Sequence, residues 1–95
     1  MDTSNSDAFY NKLKGQLADT AIWPSKYMYK FIVPTGGTAV AQIEAIFDNT
    51  GAVITSKVSS KGSFTSLTIM VILKNPEAVV EKYKRVGVIP GVISL

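Results

Sequence analysis

Between Lys26 and Val33 the chain alternates: Tyr27, Tyr29, Phe31 and Val33 fall on one side of an extended segment, and Met28, Lys30 and Ile32 on the other. A period of two predicts a β-strand. Pro34-Thr35-Gly36-Gly37-Thr38 then reads as a turn, with Thr38 placed to cap the next helix. Beyond it Val40, Ile43, Ile46 and Phe47 share one helical face, which predicts a helix over 39–49 with Gly51 suited to the left-handed position after it. Residues 52–58 and 64–73 are β-rich, and the small polar cluster between them, Ser59 to Ser63, contains Gly62; this predicts a hairpin. Asn75-Pro76 is a helix start, a capping residue followed by proline in the first turn. Val79, Val80, Tyr83 and Val86 would line that helix's buried face, Gly87 would stop it, and residues 88–95 predict a last strand.

Ahead of the first strand, Phe9, Leu13 and Leu17 have helical spacing, so a leading helix is expected over 7–18 with Asp7 as N-cap. Met1 to Ser6 reads as a flexible tail. Pro24 breaks the linker, because the residue before a proline is pushed toward extended geometry. After the leading helix the order is strand, helix, strand, strand, helix, strand. That order predicts an α+β chain: a ferredoxin-like βαββαβ two-layer sandwich, a four-stranded antiparallel sheet with both later helices on one face and an extra N-terminal helix. The first and third strands would be central. The 95 residues make one domain, spanning 7–95.

Composition narrows the chemistry. The chain has no cysteine and no histidine, which removes disulfide frameworks, Cys/His zinc sites, Cys-His nucleophiles and the Ser-His-Asp triad. The carboxylates fall mostly at caps or on helix exteriors, and no pair converges. The one arginine, Arg85, sits on the last helix, whereas small ferredoxin-like acyl phosphatases need an arginine in the first loop. No catalytic residue, metal or cofactor is implied, and the expectation is a protein that is not an enzyme. The formal charge of +3 is mild and spread along the chain. The longest purely apolar run, Ile69 to Leu73, is far short of a membrane span, and the polar, acidic start is unlike a signal peptide; a cytoplasmic location is expected.

Several stretches resemble one family. The hairpin "SSKGSFTSLTI", the aromatic-led strand after "WPSKY" and the helix ending "FDNTGAVI" are similar to the YbeD-like family of small bacterial proteins, a domain of unknown function, and to its Bacteroidetes branch in particular. The likeness runs from about Phe9 to Leu95 and is most specific at Ser59, Ser60, Gly62, Phe64 and Ser66. It implies a ferredoxin-like fold akin to regulatory domains of the ACT type, which often bind amino acids at the loop after the first strand. Here that loop is Pro34 to Thr38. The resemblance brings no catalytic residues.

Two loops and one surface are therefore candidate sites. Gly36, Gly37 and Thr38 could meet a carboxylate or phosphate at a helix N-terminus, or simply turn and cap. Ser59, Ser60, Lys61 and Gly62 could hold an anion on hydroxyls and backbone amides, or simply make a hairpin corner. On the sheet face away from the helices, Met28, Ile32, Met70 and Ile72 would form an apolar interaction surface, unless the leading helix covers it with Phe9, Leu13 and Leu17. Trp23 is read as pinning the linker to the core. The functional expectation is a regulatory or adaptor module, ACT-like, that binds a small metabolite or a protein partner, with self-association open. Nucleic-acid binding by the sheet face and basic residues is the alternative; it lacks the stacking aromatics of an RNA-recognition module.

Overall fold

Strict alternation over ten residues makes a strand with one face for the core and one for water, and two such strands organise this chain. The computed structural model describes residues 3–95, with side chains from Asp7 onward. The elements in order are α1 (Thr3–Thr20), β1 (Ser25–Pro34), α2 (Ala39–Ile46), β2 (Val53–Val58), β3 (Phe64–Leu73), α3 (Pro76–Gly87) and β4 (Ile93–Ser94). The four strands form one antiparallel sheet in the order β2-β3-β1-β4. Thus β1 and β3 lie at its centre and pair along their whole length, from Ser25 opposite Leu73 to Pro34 opposite Phe64.

That register sets odd-numbered β1 residues beside odd-numbered β3 residues. Tyr29, Phe31, Val33, Leu67, Ile69, Val71 and Leu73 are all buried, and Ile43, Phe47, Val79 and Val86 from α2 and α3 complete the core. The core is aromatic at its centre. Tyr29 meets Phe47 and Tyr83 edge-on, with ring centroids 5.2 and 4.8 Å away. Such pairs contribute roughly 0.5–1.5 kcal/mol each beyond area burial. Burying Tyr29 strands a hydroxyl, and the fold satisfies it: the hydroxyl donates to the Val79 carbonyl at 2.9 Å. Tyr27 and Tyr83 satisfy each other at 2.8 Å, as do the Thr35 and Thr65 hydroxyls at 2.8 Å.

The ends of the elements follow local chemistry. Asn75 caps α3, its side-chain oxygen accepting from the Ala78 amide at 2.8 Å, with Pro76 in the first turn. Three boundaries differ from those expected from the sequence. The helix over 39–49 stops at Ile46, and Phe47 stays buried in the adjoining turn, where Asn49 and Gly51 both take left-handed backbone. The last strand, expected over 88–95, contracts to two residues. Val88 is drawn into the cap of α3, Ile89 is buried with its amide on the Val86 carbonyl, and Pro90 brings no N–H to a ladder.

The leading helix runs from Thr3 rather than Asp7, so Asp7 is not its cap and 3–6 is helical, not tail. Met1 and Asp2 of the expected tail lie outside the described residues. Thr3, Ser4, Asn5 and Ser6 are all capping types, and sequence alone offers no way to choose among them.

Helix α1 does not fold over the open sheet face. It packs on α3: the Lys84 ammonium lies 5.4 Å from the centre of the Tyr10 ring, and Leu17 joins the edge of the core. Trp23 fastens the linker, its indole N–H donating to the Leu17 carbonyl at 3.2 Å.

Candidate functional site

The β1–β3 register brings the two candidate loops to the same end of the sheet. The Thr35 amide donates to the Ser63 carbonyl at 3.0 Å, so the turn before α2 and the β2–β3 hairpin run side by side. They do not share a binding site, since each borders a different depression.

Gly37 and Thr38 line a shallow cavity of about 240 Å³ with Pro34, Gln42, Ile89 and Pro90. Small-molecule sites usually enclose about 300–1,000 Å³. The Thr38 hydroxyl is already engaged, accepting from the Gln42 side-chain amide at 2.7 Å. Thr38 also makes no side-chain cap to α2. Gly36 stands in open space with φ +87°, a backbone position that suits glycine.

The hairpin uses its polar groups internally. The Ser59 amide donates to the Phe64 carbonyl at 2.7 Å, the Ser59 hydroxyl accepts from the Phe64 amide at 3.2 Å, and the Gly62 amide returns to the Ser59 carbonyl at 2.9 Å. Gly62 takes φ +77°, as a tight corner demands. These bonds engage Ser59 and the Gly62 amide within the corner itself.

The sheet face is different. Met28, Met70, Ile32 and Ile72 stand on the side away from the helices, as the alternation requires. The register adds neighbours that alternation within β1 and β3 does not reveal. Val53 sits opposite Met70 across the β2–β3 ladder, and Ile93 sits opposite Ile32 across the β1–β4 ladder. Phe64 is exposed at the hairpin end. Exposure is high: 50% for Met28, 63% for Val53, 66% for Ile72 and 53% for Ile93. Val53 could have been suspected from its own alternation with Thr55 and Lys57; Ile93 could not, because its strand is too short to show a period.

Two depressions mark this face. Lys26, Gly51, Val53, Met70 and Ile72 border one of about 190 Å³. Ile32, Lys57, Val58, Ser59, Phe64 and Ser66 border another of about 290 Å³. The polar row Lys30–Thr68–Thr55 crosses the sheet between them.

Charge is divided between the layers. Lys26, Lys30 and Lys57 lie on the strands, Lys61 in the hairpin and Lys74 just after β3, and none of these segments contains an Asp or Glu. Every described carboxylate side chain lies on a helix or, as Asp48, in the turn after α2. The basic end of α3 is partly tied down. Lys82 donates to the Ile46 carbonyl at 3.0 Å and lies over the Phe47 ring, while Lys84 lies over Tyr10. Burial, first, and then the neighbouring tyrosines push the Tyr29 hydroxyl above its ordinary range; burial and the Tyr27 hydrogen bond do the same to Tyr83. Both act as neutral donors or acceptors at ordinary pH. Among the described residues no group of three or more Asp or Glu side chains could hold a metal ion, and no helix is long and apolar enough to cross a membrane.

The model of one protein family, DUF493, described as a protein of unknown function, matches residues 19–95. The match takes in every strand together with α2 and α3, and leaves out almost all of α1. No curated protein matches the chain.

Proposed function

The chain belongs to the DUF493 family, of which YbeD is also a member, and from that footing we propose that it is a non-enzymatic adaptor: a ferredoxin-like, ACT-related module that docks a protein partner on its open sheet face. One observation carries this reading. Met28, Val53, Ile72 and Ile93 are each half or more exposed on one side of a sheet whose central strands pack their other side against α2 and α3. Exposed apolar surface of this kind, here in two clusters on either side of the Lys30–Thr68–Thr55 row, marks interaction sites, and methionine suits a surface that adapts to its partner. The helix best able to hide it, α1, is committed to α3 instead. Docking would give the two-layer fold its missing third layer.

The metabolite reading at Gly36–Thr38 has less support, because its cavity is small and its one hydroxyl is engaged. Nucleic-acid binding has the lysines in its favour and the want of stacking aromatics against it.

A photo-crosslinking residue at position 72, in the cell, tests the proposal against the same residue at position 44 on the exposed side of α2. A discrete adduct from position 72 that disappears on Met28→Lys is the expected result. Equal adducts from both positions would overturn it. So would a specific thermal shift with an amino acid or phosphorylated metabolite that Thr38→Val abolishes and Met28→Lys leaves intact.

A further inference from the structure

If the open face docks a protein, its chemistry also describes the partner: we infer that the occupant is an acidic amphipathic helix, laid along β3 with an apolar anchor in each of the two depressions. This inference rests on the docking reading above and adds the partner's charge and shape.

Three features carry it. The first is the sign of the charge. The sheet layer holds five lysines and no Asp or Glu side chain, while the described carboxylates all belong to the helical layer. A chain of modest net charge therefore presents a face of one sign, and a complementary partner brings carboxylates. The second is where the lysines stand. Lys26 borders one depression and Lys57 the other, so each depression has a lysine in its wall. Anchors flanked by Glu or Asp would bury their apolar part and leave the ion pairs at the wet edge. The third is spacing. The depressions are centred about six residues apart along β3, roughly 20 Å at 3.3 Å per residue. A helix covers that distance in about fourteen residues, or four turns. The polar row between them, Lys30–Thr68–Thr55, faces the middle of such a helix, where Lys30 meets a further acidic residue.

Lysine suits this task better than nucleic-acid readout here. The face has no arginine, tyrosine, tryptophan or histidine, and its one aromatic, Phe64, stands at the hairpin end. Base stacking has little to stand on, whereas aliphatic side chains have two depressions to fill.

The test uses the full chain and labelled synthetic peptides of about sixteen residues, helical, with leucine on one face and glutamate flanking it. Fluorescence anisotropy compares this probe with a version carrying glutamine for glutamate, one carrying lysine, and a single-stranded RNA of similar length. The expected order is the glutamate peptide first, the glutamine peptide about tenfold weaker, and the lysine peptide and RNA weaker still. Lys26→Glu/Lys57→Glu should weaken the glutamate peptide by about tenfold or more. Lys12→Glu/Arg85→Glu, the same charge change on the helical layer, should leave it within about twofold.

Equal binding of the glutamate and glutamine peptides, lost in Ile72→Ser, would overturn the acidic partner while leaving the docking face standing. Binding of no peptide would overturn both. RNA binding tighter than any peptide, weakened by the same two lysine changes, would replace both with the nucleic-acid reading.

Discussion

The two faces of the sheet are made by the same strands and differ by one residue in register. Odd positions of β1 and β3, from Tyr29 to Leu73, are packed to near-zero exposure against α2 and α3. Even positions carry residues nearly as apolar, Met28, Ile32, Met70 and Ile72, and all four keep surface open to water. Lys26, Lys30, Ser66 and Thr68 also stand at even positions, but apolar content alone does not fully distinguish the faces. Aromatic bulk does: Tyr27, Tyr29 and Phe31 all point to the helices, where ring-on-ring packing and two satisfied hydroxyls lock one arrangement. Apart from Phe64 at the hairpin end, the open face has aliphatic side chains, Ser66, threonines and lysines, which pack adaptably. A covered face of rings stabilises the fold, and an uncovered face of flexible aliphatics is free to receive something else.

The sharpest way to break this comparison is Phe31→Ala. Deleting a fully buried ring should cost about 3–5 kcal/mol, read as a lower midpoint in urea unfolding; a loss under about 1 kcal/mol would mean that the covered face is not the core. Removing residues 1–17 comes next. It strips Tyr10 and Leu17 from the α3 side, at a cost of about 2 kcal/mol in apolar burial, yet should leave glutamate-peptide binding unchanged. A gain in binding would show that α1 competes for the open face.

Tyr29→Phe should cost about 1 kcal/mol at neutral pH by removing the hydroxyl's buried bond to the Val79 carbonyl. It also tests the alkaline limb. The Tyr29 and Tyr83 hydroxyls titrate above the ordinary 10.0 in the folded chain, so the native state keeps protons that the unfolded state gives up. Their stabilisation is therefore complete below pH of about 10 and falls as pH rises beyond it. Unfolding curves between pH 8 and 11 should show that fall, and Tyr29→Phe should make it shallower. A flat profile in the parent chain would sink this account. The smallest effect belongs to the open face: Ile72→Ser should shift stability by no more than about 0.5 kcal/mol while weakening the partner peptide.

Much of this was legible in the chain. The alternation from Lys26 to Val33, the Asn75-Pro76 helix start and the Gly62 hairpin each rest on interactions within a few residues, and each stands where its local chemistry puts it. Local patterns failed where competing local options were equal or where distant contacts intervened. Four capping-type residues before Asp7 made the start of α1 undecidable, and the last strand shrank because burial of Ile89 outweighed the β-propensity of Val88. The four residues Met28, Ile32, Met70 and Ile72 could be assigned to one face from period alone. Ile93, on a strand too short to show a period, could not be added to them.

By itself the sequence determined which residues alternate, where the turns fall and which chemistries are missing, because those properties need only a backbone and near neighbours. Only the tertiary structure decided that α1 lies on α3 and leaves the sheet bare. It also decided that Val53 and Ile93 join the apolar face and that five scattered lysines collect on one layer. Those outcomes depend on strand register and helix packing, and these bring together residues that the chain itself keeps far apart.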